Sequence, residues 1–281
     1  MSKKFDLEEK INLLYNFCYN KKFPNCYKKE KINYKNISID DLKIRLSNRE
    51  VSDELATDIF NGKFRFINYD NEKKLTIIKR YSDQFPVTIF ISPYKNESKV
   101  DILEDSNNND SYTSYILSNL VINNLTNHIL LPIVSIDVKF NQISDVLNNF
   151  NSIDSYIKDI ENNKIADLFS IRVKENFFKS DNLESYIKNN VCKMKPVLFQ
   201  IIHTLAVIQD EFPHFRHNYL KPSNIFLYKK KYIDNIKKYK LGKNNYYLFD
   251  NDFDIKISNF SYSRIFKENK IKFKKIPFID K

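Results

Sequence analysis

The sequence predicts an α+β chain, a β-rich part followed by a largely helical part, and three observations carry that prediction. Between Phe64 and Tyr94 the runs FRFINY, LTIIKRY and FPVTIFISPY alternate in polarity, are rich in β-branched and aromatic residues, and are separated by polar turns, the signature of strands. From Pro196 to Phe212 the run PVLFQIIHTLAVIQDEF is apolar on nearly every face of a helix, which predicts a buried central helix. With 281 residues, 42% of them apolar, the chain can bury one large core or two lobes.

Composition narrows the function classes. There are 23 Phe and 18 Tyr but only 2 Gly, 8 Pro and no Trp; the excess of Lys, Asn, Ile, Tyr and Phe is what AT-rich coding produces and is not a functional signal. The net charge of +11 could favour nucleic acid or acidic surfaces. The lysines are scattered, however, so a solvated surface is the expectation, and a basic run occurs only at KENKIKFKK, Lys267 to Lys275. Cys18, Cys26 and Cys192 form neither a disulfide framework nor a zinc pattern, which points to a reducing, intracellular setting. The start, MSKKFDLEEK, lacks the apolar core of a signal peptide. No apolar run approaches the roughly 20 residues a membrane span needs.

Taken in order, residues 1 to 55 alternate charged and apolar positions as short helices do, with Asp40 and Asp41 placed to start one. The strands follow, preceded by Gly62, the only glycine in this half, which gives little support for a backbone loop approaching phosphate closely. A polar stretch then leads to a helix whose apolar spacing is set by Ile116, Leu117, Leu120 and Val121, with Asn123 and Asn124 near its end. No Glu lies between Glu104 and Glu161. His128 reads as a packed or capping histidine. Residues 136 to 168 form a polar insert with helical spacing in DVLNNF and SYIKDIENN. FSIRVKENFFKSDNLESYIKNN reads as a strand, a turn and a helix capped near Ser180 or Asp181. Pro196 suits the start of the central helix, and His203 within it reads as a core residue. After Leu227 comes a Lys-rich and Tyr-rich hairpin, and the run Asp250 to Asp254 reads as a solvated turn before a final strand, FDIKISNF.

The chemistry concentrates in FPHFRHNYLKPSNIFL, Phe212 to Leu227. It resembles the catalytic loop of a protein kinase, H-R-D-L-K-x-x-N, in which the Asp is the base and the Asn holds a metal ion. His217, Leu220, Lys221 and Asn224 match; Asn218 stands where Arg is usual, and Tyr219 stands where the Asp belongs. The likeness is greatest to the serine/threonine kinases of nucleocytoplasmic large DNA viruses, which have lines similar to F-Q-I-L-x-x-L-A-V-I-Q-x-x-Y-P-x-F-R-H-N-D-L-K-x-x-N-I. Phe199, Gln200, Leu205, Ala206, Val207, Ile208, Gln209, Pro213, Phe215, Arg216, His217 and Asn218 match in order. Thr126, His128, Leu131, Pro132 and Ile133 fit a second segment of that family, and the resemblance runs from about residue 64 to 266.

That resemblance implies a two-lobed kinase-like fold. Its parts would be a helical N-terminal extension at 1–55, a small β-rich lobe at 56–135, the polar insert at 136–168, and an incomplete helical large lobe at 169–281. It implies a degenerate ATP site at Phe90, where the family has the phosphate-binding strand Lys, at Lys221, and at Asn259, where it has the magnesium-binding Asp. The degenerate metal positions are Asn224 and Asn259, and the helix lacks the Glu that pairs with the strand Lys. His217, Tyr219, Lys221 and Asn224 are the loop positions. A phenol, with a pKa of about 10, stays protonated at neutral pH and cannot serve as a carboxylate does.

The expectation is therefore a catalytically inactive kinase-like protein, a viral binding or scaffold protein or a decayed, C-terminally truncated kinase. It would use neither ATP nor magnesium and would act through a protein partner or self-association in the host cytoplasm or virion. Two alternatives belong to other classes. One is a divergent serine/threonine kinase that does use ATP and magnesium, by way of Asn224, Asn259 and the Asp250 to Asp254 run. The other is a basic virion structural or nucleic-acid-associated protein, for which the sequence offers no aromatic-basic recognition motif.

Overall fold

The strands form where side-chain alternation places them. β1 (Phe64–Tyr69), β2 (Leu75–Tyr81) and β3 (Phe85–Lys95) pair in turn as antiparallel neighbours. The computed structural model describes residues 64–69, 75–81, 85–95, 105–148, 153–176, 180–189 and 194–265. The helices expected in residues 1–55, Gly62, the three cysteines and the basic run Lys267 to Lys275 lie outside them. The remaining elements are α1 (Ser106–Ile122), β4 (Pro132–Lys139), α2 (Phe140–Asn148), α3 (Ile153–Glu161), β5 (Ile165–Glu175), β6 (Ser180–Asn182), α4 (Leu183–Asn189), α5 (Met194–Glu211), a 3-10 turn (Pro222–Asn224), β7 (Ile225–Leu241) and β8 (Asn244–Ile257). No helix among the described residues is long and apolar enough to cross a membrane. The contacts divide the chain into two units that are each discontinuous in sequence, Met1–Lys99 with Leu131–Phe178, and Val100–Leu130 with Lys179–Lys281.

The first unit is one antiparallel sheet of order β1-β2-β3-β5-β4. Because strand side chains alternate faces, Val87, Ile89 and Ile91 of β3, Phe169, Ile171 and Val173 of β5, and Val134, Ile136 and Val138 of β4 share one apolar face. The stretch read as a polar insert contributes to closing that face. α2 and α3 are short and amphipathic, and they bury Ile143, Leu147 and Tyr156 against it. The Tyr156 ring meets Phe169 edge-on at 5.3 Å. Each such buried side chain contributes about 1.5–3 kcal/mol. The opposite face of β3 and β5 carries Thr88, Phe90 and Ser92 beside Lys174, Arg172 and Ser170.

In the second unit, β6, β7 and β8 form a three-stranded sheet. β7 and β8 are a long hairpin closed by Gly242 and Lys243, with Gly242 at φ 55°. A positive φ at the first position of a two-residue turn is what such hairpins demand and what glycine adopts freely. α5 lies against β8 through Gln200, which is fully buried: its amide donates to the Phe253 carbonyl at 3.2 Å and accepts from the Ile255 amide at 3.2 Å. His203 is also buried, with Nε2 3.1 Å from the Lys240 carbonyl. His128 packs in the same region, Nδ1 3.0 Å from the Ile255 carbonyl and Nε2 3.3 Å from the Tyr239 hydroxyl. Burial, reinforced by Lys237, pushes the His128 pKa down to about 3, so it is neutral at physiological pH.

Three local expectations change. α1 begins at Ser106, so the Asn-rich stretch is helix and not a lead-in; Asp105 caps it by accepting from the Asn107 and Asn108 amides at 2.7 and 3.2 Å. The cap of α4 is Asn182, the last residue paired with β7, whose side chain accepts from the Ser185 amide at 2.8 Å; Ser180 and Asp181 lie earlier in the strand. α5 is not buried all round: Leu198 and Ile202, one turn apart, are 48% and 65% exposed. Its apolar pattern exceeds the surface that β7 and β8 cover.

The ring of Phe169 fills the space between β5 and α3, with Phe140 a further neighbour at 6.0 Å. Phe169→Ala is expected to destabilise the chain by about 3–5 kcal/mol, read as a lower midpoint in urea denaturation. A loss below about 1 kcal/mol would mean that this core face is not packed as described.

Candidate active-site loop

The loop is built from the end of α5. Phe212 stays bonded to the Ile208 carbonyl at 2.8 Å, and the Phe215 amide closes a turn onto the Phe212 carbonyl at 2.8 Å. Phe212 and Phe215 are buried, and Phe215 packs on His217 and Phe260. Arg216 and Arg264 then exchange both backbone hydrogen bonds at 2.8 Å, tying the loop to the segment that follows β8. His217 is buried against Phe260, ring centroids 5.1 Å apart. Burial drives its pKa down to about 4, so it is a neutral packing residue. Asn218 takes φ 57°, a left-handed conformation that Asn tolerates, and its amide donates to the Tyr262 carbonyl at 3.0 Å.

Four predicted positions converge there. The Lys221 ammonium donates to the Tyr219 hydroxyl at 2.8 Å and lies 4.5 Å from its ring centroid. The Tyr219 ring also meets Tyr262 edge-on at 5.1 Å. The Asn224 amide donates to the Tyr219 carbonyl at 2.8 Å, and its side-chain oxygen accepts from the Asn259 amide at 3.1 Å. Asn259 sits at φ 60°, and the Ser258 amide bonds the Asn224 carbonyl at 3.0 Å. Tyr219, Lys221, Asn224 and Asn259 therefore form one chain of hydrogen bonds, with His217 beneath it. Phe90 lies in the other unit, opposite Arg172 on the sheet, with the Arg172 guanidinium 5.9 Å and the Lys174 ammonium 5.8 Å from its ring.

The sequence reading missed two residues. It looked for a Glu on α1, but the helix carries a buried carboxylate one methylene shorter, Asp110. Asp110 accepts from the Phe260 amide at 2.7 Å. Asn109 beside it donates toward the carbonyls of Phe260, Ser261 and Ser263 at 3.2, 3.0 and 2.9 Å. Their signal was the run Asn107 to Ser111, polar residues inside what an all-apolar criterion for burial passes over.

No protein-family profile matches the chain. It is 31% identical over 155 residues to the uncharacterized protein R402 of Acanthamoeba polyphaga mimivirus, covering 54% of this chain and 18% of R402. R400 of the same virus, whose name assigns it to the serine/threonine-protein kinases, is 30% identical over 167 residues, 53% of this chain and 36% of R400. A probable serine/threonine-protein kinase of Dictyostelium discoideum is 40% identical over 92 residues, 30% of this chain and 8% of that one. Over these segments the chain is similar to proteins named as serine/threonine-protein kinases. The chain matches well under half the length of each of these relatives. Solved structures align with it more loosely. WaaP, in a complex with acyl carrier protein, has a TM-score of 0.39 at 9% identity over 75% of this chain and 66% of that one. A MAP kinase of Leishmania major has a TM-score of 0.34 at 17% identity over 73% and 48%.

The acidic run behaves differently from expectation. Asp250 to Asp254 is part of strand β8, not a solvated turn. Asp254 is buried, with Lys237 at 2.7 Å and Lys230 at 3.5 Å, and the Tyr228 hydroxyl 3.3 Å away. Burial alone would raise its pKa, but Lys237 and Lys230 outweigh that and hold the carboxyl below the usual range. Among the described residues no group of three or more His, Cys, Asp or Glu is placed to hold a metal ion.

Asp254→Asn is expected to cost about 3 kcal/mol at pH 7, because it leaves two lysines facing a buried neutral group. A carboxyl with a depressed folded pKa stabilises above its unfolded value of about 3.9 and loses that contribution as pH falls through the folded value. The gap between thermal melts of the two proteins should therefore begin to shrink below about pH 4 and close only below the folded value. A constant gap down to the lowest pH would show that the carboxylate is not ion-paired.

Proposed function

We propose that this kinase-like chain is catalytically inactive and acts by binding. The observation that carries the reading is the closed chain of neutral hydrogen bonds from Tyr219 through Asn224 to Asn259. At both positions where the resemblance calls for an acidic residue, 219 and 259, the side chain is neutral and already engaged with a neighbour. The Tyr219 hydroxyl accepts from Lys221, so it is oriented as an acceptor toward a cation and not as a base toward a substrate hydroxyl. General-base assistance is worth about 10²–10⁴ in rate, and kinase catalysis otherwise rests on charge placed around the transferred phosphoryl group.

The residues do not fit a magnesium ion. A hard divalent cation draws most of its binding from charged oxygen ligands in octahedral array, whereas Asn224 and Asn259 offer neutral amides, and the Asn224 oxygen is already bonded to Asn259. Phe90 adds no cation of its own on β3. The buried Asp110 supplies a negative charge, but it is spent on the Phe260 amide. Leu198 and Ile202, exposed on α5, support a role in binding a protein partner or a second copy of the chain. The host cytoplasm or the virion is the setting that the viral relatives suggest.

Thermal melting with Mg-ATP tests the reading. A ligand present at about 100 times its dissociation constant adds about 2.7 kcal/mol of stability, which would raise the melting temperature by several degrees. The expected change with millimolar Mg-ATP, against a control of equal ionic strength, is none; a clear rise would overturn the proposal. A companion measurement uses Tyr219→Asp. This variant restores a base but neither metal ligand, and the parts of such a site act together, so phosphate transfer to a generic protein substrate should stay at background. Transfer above the level of a Lys221→Ala control would show that only the base was missing.

A further inference from the structure

The hairpin β7–β8 has two faces of different character. Its register sets Ile236 opposite Phe249, Lys238 opposite Tyr247, Tyr239 opposite Tyr246 and Lys240 opposite Asn245. The face containing Tyr239 is turned inward: that ring lies 5.1 Å from Phe199, 5.0 Å from His203 and 5.6 Å from His128. Alternation sends Ile236, Lys238 and Lys240 of β7, with Asn245, Tyr247 and Phe249 of β8, to the outward face. There Ile236, Tyr247 and Phe249 are 59%, 52% and 61% exposed, and Lys238 and Lys240 are exposed beside them. No acidic residue occurs from Ile236 to Phe249. Lys237, on the inward side, is paired with Asp254.

We infer that this outward face is a binding platform for single-stranded nucleic acid. Three features select that occupant. First, Tyr247 and Phe249 are two residues apart on one strand, so their rings rise from the face about 6.8 Å apart, about twice the 3.4 Å repeat of a nucleic acid strand. Each ring can take a base without displacing the other. Second, Lys238 lies directly across from Tyr247, and Lys240 is in the next outward-facing pair, two register positions along, which places cations beside the rings where a backbone carries its phosphates. Stacking rings with interleaved cations are what sequence-tolerant single-strand binding requires. Third, the charge is of one sign throughout. A lipid surface fits less well. A ribbon that enters a bilayer interface needs its apolar residues at the tip, and here the tip is Gly242, Lys243, Asn244 and Asn245. The platform is separate from the Tyr219 loop and does not depend on whether the chain transfers phosphate.

Fluorescence anisotropy of the full chain with a labelled oligothymidylate of about 16 nucleotides, long enough for one such face, tests this. Tyr247→Ala and Phe249→Ala should each weaken binding at least about fivefold. Replacing both Lys238 and Lys240 by Gln should reduce the slope of log affinity against log salt by about 1.4. All four positions are on the surface; should an alanine variant melt early, Tyr247→Thr and Phe249→Thr keep strand propensity and remove the rings. Absence of oligonucleotide binding overturns the inference. So does unchanged affinity in the ring variants, which would mean that charge alone holds the strand. Tighter binding to phosphatidylserine vesicles, or equal displacement by polyglutamate, would instead assign the face to a lipid or to an acidic protein.

Discussion

The second unit depends on the polar head of α1. Asn109 and Asp110 are buried in the first turns of that helix; Asp110 accepts from one backbone amide, and the two N–H bonds of the Asn109 side chain are shared among three carbonyls of the segment from Phe260 to Ser263. An irregular segment carries backbone groups that no ladder or helix pairs, and leaving them buried without partners costs about 1–3 kcal/mol each. Ser263 adds a hydrogen bond to Thr113 at 2.9 Å on the same helix. With this segment held, Phe260 packs on Phe215 and His217, and Asn259 is presented to Asn224. The geometry of the loop is thus set from a helix more than a hundred residues away in the chain.

The same network explains how a loop that resembles a catalytic one can persist without acidic residues at its centre. Carboxylates gathered in a small space repel one another unless a cation joins them. Amides can donate and accept at once, so Asn224 and Asn259 close on each other, and Asn224 still reaches the Tyr219 carbonyl. Lys221, which has no acidic partner among these positions, finds the Tyr219 hydroxyl and ring instead. The arrangement is self-sufficient electrostatically.

Much of this was legible in the residues, and the exceptions have physical causes. β1 to β3 and α5 could be read because their periods are local, and the loop because its motif spans eight residues, His217 to Asn224. The helical start of α1 could not, because Asn is a poor helix former and the bonds that offset this come from residues 260–263. Asp254 looked solvated because its partners, Lys230 and Lys237, lie across a hairpin whose register a bulge displaces. The pairing of Asn224 with Asn259, 35 residues apart, was suggested by resemblance alone. The outward face of β7–β8 was hidden for a simpler reason: it exists only once two strands are laid side by side.

The distance between α1 and its partners also bears on how the chain is made. Asp110 and the Phe260 amide are 150 residues apart. At a synthesis rate of about 5–20 residues per second, about 7 to 30 seconds separate the appearance of the two on a ribosome. Throughout that interval Asn109 and Asp110 are without the segment from Phe260 to Ser263 that they bond. Neither unit is contiguous, so neither can be completed before the next stretch of chain has emerged. The hydrogen bonds that fix the loop therefore form only late in synthesis.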